Sequence, residues 1–206
     1  MNCMKRVCEN WEKEAFTPDL ISPAYWDAFA ENAKAASAEI HCVKDEAAAA
    51  AEVEKIAEEL DAKEVIVAGD DTDTGINAAC EALSAAGRTV YRDKFEVAEH
   101  APTAPLGLSR AEFAVGETGS VVVDTYSYEA RVVGMLPMNH IVLLDASKTT
   151  ENVTTAFQVF AKVFKRGYLG FITGPSRTAD IERVLSLGVH GPHRFFVVAI
   201  GKEEGK

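Results

Sequence analysis

The chain has 206 residues, 48% hydrophobic and 26% charged. That is an ordinary globular composition, long enough to bury about 70% of the surface of the unfolded chain. Lys and Arg number 21 against 32 Asp and Glu, a formal net charge of −11 at pH 7, and a field of that sign disfavours phosphate backbones and anionic lipid as main partners. No run of about 18 apolar residues marks a transmembrane helix, and the polar Met1 to Asn10 has no apolar leader core. No nucleic acid, no membrane insertion and a cytoplasmic location are therefore expected. The four cysteines, Cys3, Cys8, Cys42 and Cys80, are scattered without C-x-x-C spacing, so free thiols and no metal are expected.

Residues 1–21 read as an N-terminal arm or short helix, residues 22–200 as one α/β domain, and residues 201–206 as a frayed tail. Ser22-Pro23 is a helix start, with a hydroxyl cap and proline in the first turn; the helix should run to about Ser37. Ile40 to Val43 is a short strand. Asp45 can cap an alanine-rich helix that continues to Leu60, and Val65 to Ala68 is a buried strand closed by Gly69. A helix from Thr74 to Ala86 ends at Gly87, and Thr89 to Tyr91 opens another strand. Glu96 to Leu108, with Pro102, Pro105 and Gly107, reads as a long connection. Phe113 to Val115 and Ser120 to Thr125 are strands, Tyr128 to Leu136 a helix, Ile141 to Leu144 a buried strand and Thr150 to Phe164 an amphipathic helix. Leu169 to Thr173 is a strand, Gly174-Pro175-Ser176 turns it into a helix through Leu187, and Phe195 to Ile200 is the last strand. This alternation predicts a mainly parallel sheet flanked by helices.

In such sheets ligands bind beyond the carboxyl ends of the strands, so polar residues there carry most weight. Thr173, Gly174, Ser176, Arg177, Thr178 and Asp180 suit an anion at a helix start, where N–H groups, hydroxyls and a guanidinium converge; the same residues also suit an ordinary strand-to-helix turn. Glu117, Thr118, Gly119 and Ser120 place a carboxylate and two hydroxyls around a glycine. Glu117 is a candidate acid, base or nucleophile or a solvated turn residue. His140 is a candidate proton carrier or a hydrogen-bonded structural residue. His190, with His193, sits in a Gly/Pro-bounded loop. Asp70-Asp71-Thr72-Asp73 suits a helix cap better than a cation site. Neither a G-x-S-x-G elbow nor a G-x-G-x-x-G fingerprint is present.

Taken in order, Glu112 to Ser120, Arg131 ahead of Leu136 to His140, Thr173 to Glu182 and Gly188 to Pro192 closely resemble the LUD-domain family, in its short lactate-utilisation protein C type, over about residues 22–200. The resemblance implies a fold like that of ribose-5-phosphate isomerase, glucosamine-6-phosphate deaminase and the CoA transferases. It implies a part in oxidising L-lactate to pyruvate beside iron–sulfur partner proteins. Without their cysteine clusters, this chain resembles the cluster-free member, so no cofactor of its own is expected. The leading expectation is a lactate-system component binding a small anionic metabolite at Glu117 to Ser120, Arg131, His140, Ser176, Arg177 and His190. The alternatives are a stand-alone enzyme on a phosphosugar or acyl-CoA, with Glu117 as base or nucleophile, and a non-catalytic ligand-binding module. Homo-oligomerisation stays open.

Overall fold

The computed structural model describes residues 9–162, 169–175 and 191–203 in full, and the backbone of residues 163, 177–179 and 185–187. Its centre is a six-stranded sheet. The strands are β1 (Glu39–Val43), β2 (Glu64–Val67), β3 (Thr89–Tyr91), β4 (Leu106–Arg110), β7 (Asn139–Asp145) and β12 (Arg194–Ile200), in the order β1-β12-β7-β4-β2-β3. Every pairing in it is parallel. The inner strands are buried on both faces, which is why they read as nearly unbroken apolar runs rather than alternating ones.

One face is covered by α3 (Glu46–Glu59) and α4 (Thr74–Ala85). Val53, Ile56, Ile76 and Leu83 pack there on Val65, Leu108, Leu143 and Val198. Asp45 caps α3 by accepting from the Ala48 amide, and Asp73 caps α4 by accepting from Gly75 and Ile76, each satisfying amides that the first turn leaves without helical partners. The opposite face takes α2 (Trp26–Ala35), which a 3-10 turn at Pro23–Tyr25 precedes. Phe29 and Ala33 of α2 pack there with Val142, Phe195 and Val197.

A second sheet shares that face. It contains β8 (Thr149–Thr150), β5 (Phe113–Val115), β6 (Ser120–Asp124) and β9 (Leu169–Ile172), in the order β8-β5-β6-β9. Its Ala114, Val121 and Val123 join the α2 core. Phe113, Val115 and Val122 face the other way, toward α1 (Trp11–Ala15) and α7 (Val153–Val163). Trp11 is only 2% exposed, so part of the first 21 residues is a short helix docked by its indole.

Two segments differ from the sequence-based expectation. Glu96 to Leu108 is not one long connection: Lys94–His100 is a helix, α5, and Leu106–Arg110 is an interior strand. Gly107 made β4 look like loop. A Cβ there would meet the Val133 carbonyl oxygen at 2.6 Å, so the glycine lets α6 (Tyr128–Met135) lie close on the strand. Second, no helix runs from Ser176 through Leu187. Arg177–Ala179 (β10) and Leu185–Leu187 (β11) are antiparallel strands, with Thr178 opposite Ser186. Leu185-Ser186-Leu187 alternates with period two, and Thr178 is β-branched; both favour extended backbone. Among the described residues, no helix is long and apolar enough to cross a membrane.

Candidate functional site

The carboxyl ends of β2 and β4 open into a cleft of about 310 Å³. Val67, Ala68 and Gly69 form one wall as the chain leaves β2, and Ser109 and Arg110 end β4. Asp124, Tyr126 and Ser127, leaving β6, and Glu129 and Gly134 of α6 form the facing side. This is where ligands bind in open parallel sheets.

His140 belongs to this cleft. It is the second residue of β7, flanked in register by Gly107 and Phe195. The imidazole has no exposed surface. Its Nε2 lies 2.8 Å from Ser109 Oγ, and its ring tilts against Phe195 with centroids 5.5 Å apart. Burial pushes its pKa down to about 4, because the cation would be stripped of water without a compensating carboxylate. It is neutral near pH 7. Nδ1 is buried and has no hydrogen-bond partner among the described residues.

Among the described residues that line it, the cleft carries more negative than positive charge. Glu12, Asp70, Asp73, Glu112, Asp124 and Glu129 line it, against Arg92, Arg110 and Lys148. Those cations face carboxylates of their own. Arg110 donates to Glu46 Oε1 at 2.6 Å and to Asp73 Oδ1 at 3.2 Å. Burial opposes its charge, but these partners outweigh it and raise its pKa. Arg92 donates to Asn77 Oδ1 at 2.8 Å and pairs with Asp71 at 3.5 Å. Lys148 pairs with Glu12 at 3.1 Å. Among the described residues, no group of three or more His, Cys, Asp or Glu is placed to hold a metal ion.

The other predicted residues gather elsewhere. Thr118 Oγ1 is 2.7 Å from Ser120 Oγ, which is 2.8 Å from Thr173 Oγ1, so two motifs distant in sequence meet in one chain of hydroxyls. Gly119 has φ +65°, and a Cβ on it would overlap the Asn32–Ala33 backbone; one on Gly174 would overlap the Ala36 carbonyl oxygen. Both glycines therefore seat this cluster against the end of α2. Glu117 turns from the cluster to α7: its Oε2 accepts from the Val153 amide at 3.1 Å, a helix-start role. The cluster stands at the first residue of β6 and the cleft at the last, a distance of about 13 Å along a five-residue strand. Of these predicted residues His140 lines the cleft, and Thr118, Gly119, Ser120, Thr173 and Gly174 are not among the described residues that line it.

Arg131 is exposed on α6 beside the cleft-lining Ala130. Arg177 and Thr178 lie in β10, which removes the helix start on which anion binding there was argued. Ser176, Asp180 and His190 lie outside the described residues, as do Cys3 and Cys8. Sequence reasoning misses Ser109 and Arg110 because the first residues of their strand, Leu106 to Leu108, read as the end of a connection. The signal was present, in Leu106 and Leu108 alternating with Gly107 and Ser109 ahead of an arginine.

Fold and cleft together define a helix-flanked parallel-sheet α/β protein with a ligand-sized cavity at its strand ends. The LUD domain family profile matches residues 26–200, and the chain belongs to that family. It is similar to lactate utilization protein C of Anoxybacillus flavithermus, 32% identical over 109 residues, which is 53% of this chain and 48% of that protein. Lactate utilization protein C 1 of Bacillus mycoides is 34% identical over 107 residues, 50% of this chain and 46% of that protein. The matched stretch thus spans about half the length of these relatives. The crystal structure of a DUF162 family protein from Deinococcus radiodurans shares the fold, with a TM-score of 0.56 at 22% identity, covering 88% of this chain and 99% of that one.

Proposed function

We propose that the chain is a component of L-lactate utilisation, serving the oxidation of L-lactate to pyruvate together with iron–sulfur partner proteins, and that its cleft holds a small metabolite at Ser109 and His140. The observation that carries the role is the similarity to several proteins named lactate utilization protein C. The cleft adds a place for a ligand: a cavity of about 310 Å³ at the strand ends, with a buried neutral imidazole at its floor. In this role the chain binds and orients, and the iron–sulfur clusters of its partners would supply the redox chemistry. Neutral His140, polarised by the Ser109 hydroxyl, is a hydrogen-bonding group there rather than a fixed charge.

Deletion of the gene tests the role. Growth on L-lactate as sole carbon source should fail and growth on pyruvate should persist, with complementation by the intact chain. Affinity-tagged chain should bring down iron–sulfur proteins, recognised by their visible absorption and iron content. Unimpaired growth of the deletion strain on L-lactate overturns the proposal.

A further inference from the structure

We infer that the cleft has an anion subsite at Arg92, where the carboxylate of a small organic acid takes the place of the Asp71 side chain; this rests on the cleft being the chain's ligand site. Arg92 follows β3 and lines the cleft. Its Nη1 donates to Asn77 Oδ1 at 2.8 Å, and Asn77 donates from Nδ2 to the Asp71 carbonyl oxygen at 2.8 Å. The guanidinium is therefore fixed to α4 and to the loop after β2. Nη2 is buried and makes no hydrogen bond among the described residues. Asp71 Oδ1 stands 3.5 Å from it, near enough for charge attraction only. A guanidinium nitrogen donates and cannot accept, and a buried donor without a partner is costly. The missing group is thus an acceptor, and an anionic acceptor makes the shorter and stronger bond. His140 Nδ1 does not fix its partner's polarity in this way, because its role changes with the tautomer.

Asp71 shows how such an acid would enter. Its side chain is fully exposed, and an exposed ion pair of this kind holds weakly. Asp71 is a place-holder: it swings into water when a ligand carboxylate arrives, and the charge beside the guanidinium stays as it was. The neighbouring carboxylates are engaged within their own loop. Asp70 Oδ1 accepts from the Thr72 amide and hydroxyl, each at 3.0 Å, and Asp73 Oδ1 accepts from Arg110 and from the Gly75 and Ile76 amides. Arg110 offers no comparable place, because both its terminal nitrogens donate to Glu46, one of them to Asp73 as well.

L-lactate and lactamide share a skeleton and differ in charge. Both, with pyruvate as a second acid, are titrated into the full chain at pH 7.5 and constant ionic strength by calorimetry. The two acids should bind, L-lactate about fivefold more tightly than lactamide. Asp71→Asn removes the competing charge on an exposed side chain and should strengthen both acids about fivefold, with lactamide unchanged. Glu58→Gln, an exposed carboxylate near the far end of α3, should change neither, which separates the place-holder from net charge. Arg92→Gln should weaken the acids about tenfold and bring L-lactate to the level of lactamide; should that variant not fold, the Asp71→Asn titration decides. No binding by either acid, lactamide binding as tightly as L-lactate, or no gain in Asp71→Asn beyond that in Glu58→Gln overturns the inference. Growth on L-lactate is read separately: its persistence in the deletion strain overturns the lactate role, whatever the titrations give.

Discussion

Ser109 Oγ and His140 Nε2 lie 2.8 Å apart although the two residues are 31 positions apart in the chain. The contact joins β4 to β7 on the face of the main sheet that turns toward the second sheet. It exists because Gly107, Ser109 and His140 occupy alternate positions on that face while Leu108 and Ile141 point to the other core. The pair gives the cleft a floor that is polar, uncharged and half satisfied.

The first prediction follows from the histidine. Its pKa in the folded chain, about 4, lies below the unfolded value of about 6.5. Above pH 6.5 neither state is protonated and His140 imposes no penalty. As pH falls from 6.5 toward 4 the unfolded chain takes up a proton that the folded chain refuses, and stability drops by roughly 3 kcal/mol before levelling. Urea melts across this range should show that loss in the native sequence. In His140→Gln, which keeps a hydrogen-bonding side chain but does not titrate, the slope should be shallower by about that amount. Identical slopes would mean the imidazole is solvated.

Gly75 gives the second. A Cβ at this position would overlap the Glu46 carboxylate and the Arg110 guanidinium, so the missing side chain makes the room in which that ion pair sits beside the cleft. Alanine in a helix ordinarily gains roughly 0.5–1 kcal/mol over glycine. Here Gly75→Ala should instead lose about 1–3 kcal/mol, since the pair must separate or move within packed surroundings. A thermal melt decides the sign.

The third compares two glycines with positive φ. Gly119 (φ +65°) lies against the α2 backbone, whereas Gly201 (φ +88°) faces open space. Alanine at Gly201 meets backbone strain alone, about 1–2 kcal/mol. At Gly119 it also meets main chain that cannot yield, so Gly119→Ala should cost at least about 3 kcal/mol or prevent folding. Equal melting temperatures for the two variants would remove the argument that this glycine seats the hydroxyl cluster.

Much of the architecture was legible because buried parallel strands and capped helices leave strong local signals. Val65 to Val67, Ile141 to Leu144 and Phe195 to Ile200 are apolar runs too short for helices, and Asp45 and Asp73 stand where caps belong. What was lost was lost to tertiary causes. Gly107 weakens a strand locally and is required by a helix 26 residues further on. Arg177 to Ala179 pairs with Leu185 to Leu187, although a Gly-Pro-Ser turn reads equally well as a helix start. The site was half legible for the same reason. Thr118 to Ser120 and Thr173 do converge, but sequence order cannot show that His140 is among the described residues lining the cleft while these are not.

Glu117 supplies the last prediction. As a base or nucleophile it would need a reacting group within reach; in the structure its Oε2 instead accepts from the Val153 amide at 3.1 Å, one of the donors that the start of α7 leaves without a helical partner. Asn152 Oδ1 accepts from the next available amide, Thr155, at 2.9 Å, so the two side chains share the end of the helix. A carboxylate there also meets the positive end of the helix dipole. Glu117→Ala should therefore lower stability by about 0.5–1 kcal/mol. Glu117→Gln, which keeps the acceptor and loses the charge, should recover part of that loss. The deletion strain supplied with the Gln variant should grow on L-lactate as well as one supplied with the native chain. Loss of growth with an unchanged melting temperature would give Glu117 a chemical role and return the hydroxyl cluster to the centre of the site.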